Sequence, residues 1–238
     1  MTKILISVRN IAEAVLAAGD GAGSGADFID LKEPRGGALG GLPVETLRAI
    51  VAALRERGST LPVSATIGDL PRLSSSSPLS AVLAKVQAVA DCGVDYVKVG
   101  IARDAGAAPL LRTLAACGAA VVPVFIADHG LDDDAVALAC SLGFPGLMVD
   151  TADKRSGSLF DLMSMVELRR FLQAVRASGA MAGLAGALRL QHLPAVRELA
   201  PDFAGFRSAL CAGDRGSALD ARRLQALAAA LREIAVES

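Results

Sequence analysis

The chain reads as an α/β protein built as one (β/α)8 TIM barrel, and three observations say so. Short β-rich apolar runs alternate eight times with longer Ala/Leu/Arg stretches of helical period. A loose repeat ends a helix on glycine and opens a strand, at Gly25-Ala-Asp-Phe28, Gly93-Val-Asp-Tyr96, Gly118-Ala-Ala-Val121 and Gly179-Ala-Met-Ala182. The length, 238 residues, is close to the ~250 typical of such a barrel. A doubly wound open sheet is the competing arrangement.

In chain order, the predicted strands are 3–8 (KILISV), 27–32 (DFIDLK), 62–67 (PVSATI), 95–100 (DYVKVG), 120–126 (AVVPVFI), 146–150 (GLMVD), 181–185 (MAGLA) and 203–207 (FAGFR). Helical segments fill the gaps at 10–18, 43–57, 78–91, 104–116, 131–142, 159–177, 189–199 and 218–236. The acidic run Asp132–Asp134 opens the fifth of these, where the helix dipole favours negative charge. Only the serine run 74–77 is of low complexity, and it falls in a loop. No linker interrupts the chain, so a single catalytic domain is expected over 1–238.

Composition excludes several classes of function. Hydrophobic residues make up 53% and aromatics only 3%, which suits close helix–sheet packing and argues against an aromatic nucleic-acid platform. A net charge of −1 leaves no electrostatic footprint for nucleic acid or anionic lipid. Cys92, Cys117, Cys140 and Cys211 are widely spaced with no metal-ligand pattern, and read as small buried hydrophobes. No apolar run reaches the ~18 residues of a membrane span, and the N-terminus enters a strand without a signal-peptide design. Together these point to the cytoplasm, with no metal or cofactor. The expected partners are a small-molecule substrate and, at most, further copies of the chain as a homo-oligomer, with no nucleic acid and no membrane.

The barrel assignment locates the chemistry at the C-terminal ends of the strands. Side-chain alternation gives the inward residues there: Asp30 and Lys32 in 27–32, Tyr96 and Lys98 in 95–100, Met148 and Asp150 in 146–150. Ser7, Ser64 and Thr66 are further small polar candidates. The chain holds only five lysines, and three of them, Lys32, Lys98 and the loop residue Lys154, map to this rim. One strand-end lysine alone is ordinarily a barrel salt bridge. Two on different strands, with Asp30 and Asp150 nearby, suit Schiff-base chemistry on a carbonyl compound, since one cation depresses the pKa of another and a carboxylate can shuttle protons. The loops after the last two strands, Gly186-Ala-Leu-Arg189 and 207–216, offer small residues whose amides can approach a phosphate. Gly186, Ala187, Leu188, Ser208 and Ala209 are the candidates, with Arg207 adding a bidentate contact. His129 and Asp128 follow the fifth strand and are within reach of the mouth, whereas His192 belongs at the surface.

Several stretches in one order then carry a resemblance. Asp30-Leu-Lys-Glu-Pro34 with Gly37-Ala-Leu-Gly40, Ser64-Ala-Thr-Ile-Gly-Asp69, Asp95-Tyr-Val-Lys-Val-Gly100, and Asp150-Thr-Ala-Asp-Lys154 with Leu159-Phe-Asp161 are similar to the (5-formylfuran-3-yl)methyl phosphate synthases. That family is also called 4-(hydroxymethyl)-2-furancarboxaldehyde-phosphate synthase. The likeness runs from the first strand to Gly213-Asp-Arg215 and is loosest at 101–106 and 128–134. It implies a barrel lyase that joins two glyceraldehyde 3-phosphate molecules into a phosphorylated furan aldehyde, losing one phosphate and water, toward the furan of methanofuran-type cofactors. It also implies a Schiff base at Lys32, proton acceptance by Lys98, and help with proton transfer and phosphate binding from Asp30, Asp150 and Lys154. The competing readings are a Schiff-base aldolase or phosphosugar isomerase on another small phosphorylated carbonyl compound, and a barrel that only binds a ligand.

Overall fold

A computed structural model describes residues 1–19, 25–36, 39–69, 79–152 and 157–232. Eight parallel strands close into a barrel in sequence order: β1 (Lys3–Val8), β2 (Phe28–Leu31), β3 (Val63–Thr66), β4 (Tyr96–Ile101), β5 (Val121–Ile126), β6 (Gly146–Asp150), β7 (Met181–Leu184) and β8 (Phe203–Phe206), with β8 pairing back onto β1. The helices are α1 (Ile11–Ala18), α2 (Val44–Glu56), α3 (Leu79–Ala90), α4 (Ala107–Ala115), α5 (Asp133–Ser141), α6 (Leu159–Leu162), α7 (Met165–Ala177), α8 (Leu193–Leu199) and α9 (Ala221–Arg232). The open sheet is thereby excluded.

Strand alternation sorts the apolar side chains into two cores. Ile29, Leu31, Val97, Val99, Leu147 and Val149 face outward into the helix layer. Leu5, Phe28, Val122, Val124, Met148 and Phe203 fill the barrel interior. Phe28 and Phe203 meet at 5.7 Å between ring centroids, and Phe203 occupies the space over Gly183, where a Cβ would come within 2.1 Å of the ring. This plug closes the barrel below the polar rim.

Aspartates placed just before β2, β4 and β8 share a physical role at the opposite end of the barrel. Asp27, Asp95 and Asp202 each accept the backbone N–H of the strand before their own, from Ile4, Val63 and Ala182, at 2.7, 2.7 and 2.8 Å. Arginines from α9, α2 and α7 pair with the same carboxylates: Arg232 with Asp27, Arg55 with Asp95 and Arg176 with Asp202. Gly93, Gly118 and Gly179 take left-handed φ between 80° and 83°, as helix-ending glycines do. Gly25 serves close approach instead: a Cβ there would stand 2.6 Å from the Ala17 carbonyl oxygen.

The predicted helix 159–177 is broken. Ser158 with Asp161 and Ser164 with Glu167 form two capping boxes, and Met163 between them is extended. Two Ser-x-x-acid signatures six residues apart mark two helix starts. The segment 189–199 begins as a 3-10 turn at Leu190–His192, and residues 233–236 of the last predicted helix lie outside the described residues. Asp132 caps α5 by accepting the N–H groups of Asp134 and Ala135. Among the described residues, no helix is long and apolar enough to cross a membrane.

Candidate active site

The strand register assembles the rim. Ser7, Asp30 and Ser64 stand side by side across β1, β2 and β3. Both hydroxyls therefore reach the same carboxylate: Ser7 Oγ donates to Asp30 Oδ2 at 3.0 Å and Ser64 Oγ to Oδ1 at 2.8 Å. Lys98, in register with Thr66, brings Nζ to 2.7 Å from Asp30 Oδ1. Lys32 follows the end of β2, and its Nζ stands 3.5 Å from Asp150 Oδ2. Asp150 Oδ1 also accepts the Thr151 N–H at 2.7 Å. Two lysine–carboxylate pairs drawn from three strands, β2, β4 and β6, thus share one mouth, and all four residues are buried. Lys154 lies outside the described residues.

Thr66 anchors the glycine-rich loop after β2, donating from Oγ1 to the Gly40 carbonyl at 3.0 Å. Asp69 accepts the Leu39 N–H at 3.0 Å. Gly41 and Gly68 pack backbone to backbone, with a Cβ at Gly41 coming within 2.9 Å of the Gly68 nitrogen. These contacts hold one wall of the mouth.

Charge in this chamber is strongly coupled. Burial presses the Lys98 ammonium below the ordinary lysine range; Asp30 opposes this and Lys32 adds to it. Burial alone would raise the Asp30 carboxyl, but the charges of Lys98 and Lys32, with hydrogen bonds from Lys98 and Ser64, outweigh it and the net direction is down. The set favours an ionised Asp30 beside a lysine that gives up its proton more readily than usual.

The chamber above the lysines is also lined by Gly186, Ala187, Leu188, Arg207, Ser208 and Arg215. Gly186 and Ala187 have positive φ, at 116° and 50°, which bends the chain over the mouth. Ala209 lies one residue further out, beside a wider adjoining cavity. Arg207 departs from its expected role as a phosphate contact. Nε donates to the Arg215 carbonyl, Nη1 to the Ser7 carbonyl and Glu13, and Nη2 to Glu13 and the Ser217 carbonyl. Its five N–H donors are thus taken up by the chain itself.

Two residues of the site were not singled out from the sequence. Arg215 lines the chamber, and Glu13 is a buried carboxylate on α1, 4% exposed. A glutamate beside Ala14 and Ala17 on the inner face of α1 is the signal that marks Glu13. His129 is exposed and offers its carbonyl to Arg103, Asp104 Oδ1 accepts the Gly106 N–H, and half-buried His192 packs at a tilt against the Phe160 ring. Cys92 and Cys211 are buried, whereas Cys117 and Cys140 are only partly so. Among the described residues no group of three or more His, Cys, Asp or Glu could hold a metal ion.

Comparison with known proteins now bears on this rim. The family model for 4-HFC-P synthase matches residues 4–228, every strand included. The chain belongs to the 4-HFC-P synthase family. The (5-formylfuran-3-yl)methyl phosphate synthase of Archaeoglobus fulgidus is 34% identical over 90% of this chain and 93% of its own length. That of Methanopyrus kandleri is 35% identical over 96% and 98%. A Methylorubrum extorquens protein provisionally named for the same synthase is 38% identical over 97% and 92%. Among solved structures, the phosphoribosyl anthranilate isomerase of Thermus thermophilus superposes with a TM-score of 0.66 at 17% identity, covering 98% of this chain and all of that one. The 3-hexulose-6-phosphate synthase of Salmonella typhimurium gives 0.62 at 19%, over 98% and 99%. These two likenesses concern the fold.

Proposed function

We propose that this member of the 4-HFC-P synthase family is a lyase that condenses two molecules of glyceraldehyde 3-phosphate through a Schiff base at Lys32. The product is (5-formylfuran-3-yl)methyl phosphate, with loss of one phosphate and water, as a step toward methanofuran-type cofactors. The observation that carries the reading is the juxtaposition of Lys32–Asp150 and Lys98–Asp30 in one buried mouth.

The pairs support different roles. Lys98 is gripped at 2.7 Å, while Lys32 has a looser 3.5 Å contact, so Lys32 is the amine with freedom to reach a carbonyl carbon. Its addition and loss of water give an imine, which acidifies the adjacent carbon. Lys98, whose proton is held weakly for a lysine, accepts that carbon-bound proton, and the resulting enamine attacks the second aldehyde. Phosphate then leaves with the C–O electron pair, ring closure and aromatisation expel two waters, and hydrolysis of the imine frees Lys32. Asp30 and Asp150 carry protons between steps, joined by Lys154. The amides of 186–188 and 207–209 are the phosphate cradle in this reading.

One barrel over the whole chain, working in the cytoplasm on a small-molecule substrate and free to self-associate, accompanies the proposal. Incubation with glyceraldehyde 3-phosphate, followed by furan absorbance and release of inorganic phosphate, tests it. Phosphate release without a furan would favour another phosphorylated-carbonyl lyase, and the absence of both signals would overturn the reading.

A further inference from the structure

Arg207 raises a question: why bury a guanidinium at the mouth of an active site and spend every donor on the chain? Its charge is answered by Glu13, at 2.8 Å, with both side chains less than a tenth exposed. Glu13 also accepts the Arg9 N–H at 3.0 Å, so α1, β1 and the loop after β8 meet at this pair. A buried ion pair contributes little net stability against its desolvation cost. What it does here is geometric. Two of the carbonyls it holds, those of Arg215 and Ser217, belong to one loop.

That loop is closed at its base by Ala212 N–H to the Ala218 carbonyl at 3.1 Å and by a bridge between Cys211 and Leu219. Asp214 ties its tip, accepting the Gly216 N–H at 2.9 Å and the Ser217 hydroxyl at 3.0 Å. Arg215 sits between these anchors. Arg215 lines both the lysine chamber and the adjoining cavity of about 560 Å³. A three-carbon phosphate whose carbonyl end reaches Lys32 must leave its phosphate only a few bonds away, at this junction. A planar guanidinium fork matches phosphate oxygens in pairs.

We propose that Arg215 is the side chain that reads the substrate's phosphate, and that Arg207 and Glu13 are positioning residues that fix the loop carrying it. The inference rests on the phosphorylated substrate of the proposed function, and inorganic phosphate serves as a probe independent of turnover. Calorimetry on the full chain should show that Arg215→Gln weakens phosphate binding by roughly 10- to 100-fold, the loss of a charge-assisted contact. Arg207→Lys keeps a cation beside Glu13 but cannot hold both loop carbonyls, and should weaken phosphate by a comparable factor. The double variant should then be no worse than Arg215→Gln alone. Glu13→Gln is the second positioning variant if Arg207→Lys fails to fold. In turnover, Arg215→Gln should raise KM for the phosphorylated aldehyde and lower its preference over unphosphorylated glyceraldehyde at least tenfold.

Unchanged phosphate affinity in Arg215→Gln overturns the inference. So do losses that multiply in the double variant, because Arg207 would then be binding phosphate itself. A wild-type chain that binds phosphate through Arg215 yet forms no furan sinks the proposed reaction and leaves this inference standing. Furan formation with KM unchanged in Arg215→Gln sinks the inference alone.

Discussion

Replacing Asp30 by Asn changes one charge at the centre of the rim and almost nothing in volume. Ser7 and Ser64 can turn their hydroxyls to suit the amide, so the loss falls on the contact with Lys98 at 2.7 Å, where the two side chains are 5% and 2% exposed. Removing one partner of such a buried pair costs about 3–5 kcal/mol when the other keeps its charge. Lys98 has a partial escape, because burial already disposes it to lose its proton. The expected destabilisation at pH 7 is therefore near the lower bound, about 3 kcal/mol. Its pH dependence follows from the two shifts. The Asp30 carboxyl is lowered in the fold, so its stabilisation is complete above the ordinary carboxylate range and is lost as pH falls through the folded value. The gap between wild type and variant should close in acid. Lys98 is lowered too, so between its folded value and the ordinary ~10.4 the unfolded chain binds more protons and stability rises with pH. Without Asp30 to oppose the shift that window widens, and the gap should close again toward pH 10. Urea unfolding across pH 3–10 measures both limbs, and Asp30→Asn with Lys98→Met should recover most of the loss. A deficit under about 1 kcal/mol at pH 7, or one constant across this range, would refute the reasoning.

Two other outcomes follow from the same geometry. Gly183→Ala sets a methyl against the Phe203 ring and should cost about 1–3 kcal/mol in urea unfolding; Phe203→Leu in the same chain should restore part of it, and two simply additive losses would count against the clash. The rising limb of kcat with pH should lie below the ordinary lysine range, because the base Lys98 must be neutral and burial lowers it; Asp30→Asn should move the limb lower still in whatever activity survives, and a shift upward would remove Lys98 from that role.

Much of this was legible because the barrel ties function to strand parity. Asp30, Lys32, Lys98 and Asp150 follow from alternation in strands whose other face is branched and apolar, and all four meet at one rim. What alternation cannot supply is partnership. Which lysine meets which aspartate depends on register between strands far apart in sequence, and Lys98 turns out to reach across β3 to Asp30. Arg207 shows the same limit: a strand-end arginine beside a glycine-rich loop reads as a ligand contact until Glu13, 194 positions away, is seen to claim it. The broken helix at Met163 was written in the sequence as two capping boxes, masked there by a continuous apolar period.

The central claim is that Lys32 is the nucleophile, and borohydride trapping tests it most directly. Reduction during incubation with glyceraldehyde 3-phosphate should fix substrate carbons on the peptide that contains Lys32. Lys32→Arg should lose both adduct and furan, since arginine stays protonated and forms no imine. Lys98→Arg should retain some adduct while furan formation fails. A label on Lys98 in place of Lys32 would exchange the two roles, and the absence of any label on either lysine during turnover would contradict the Schiff-base account.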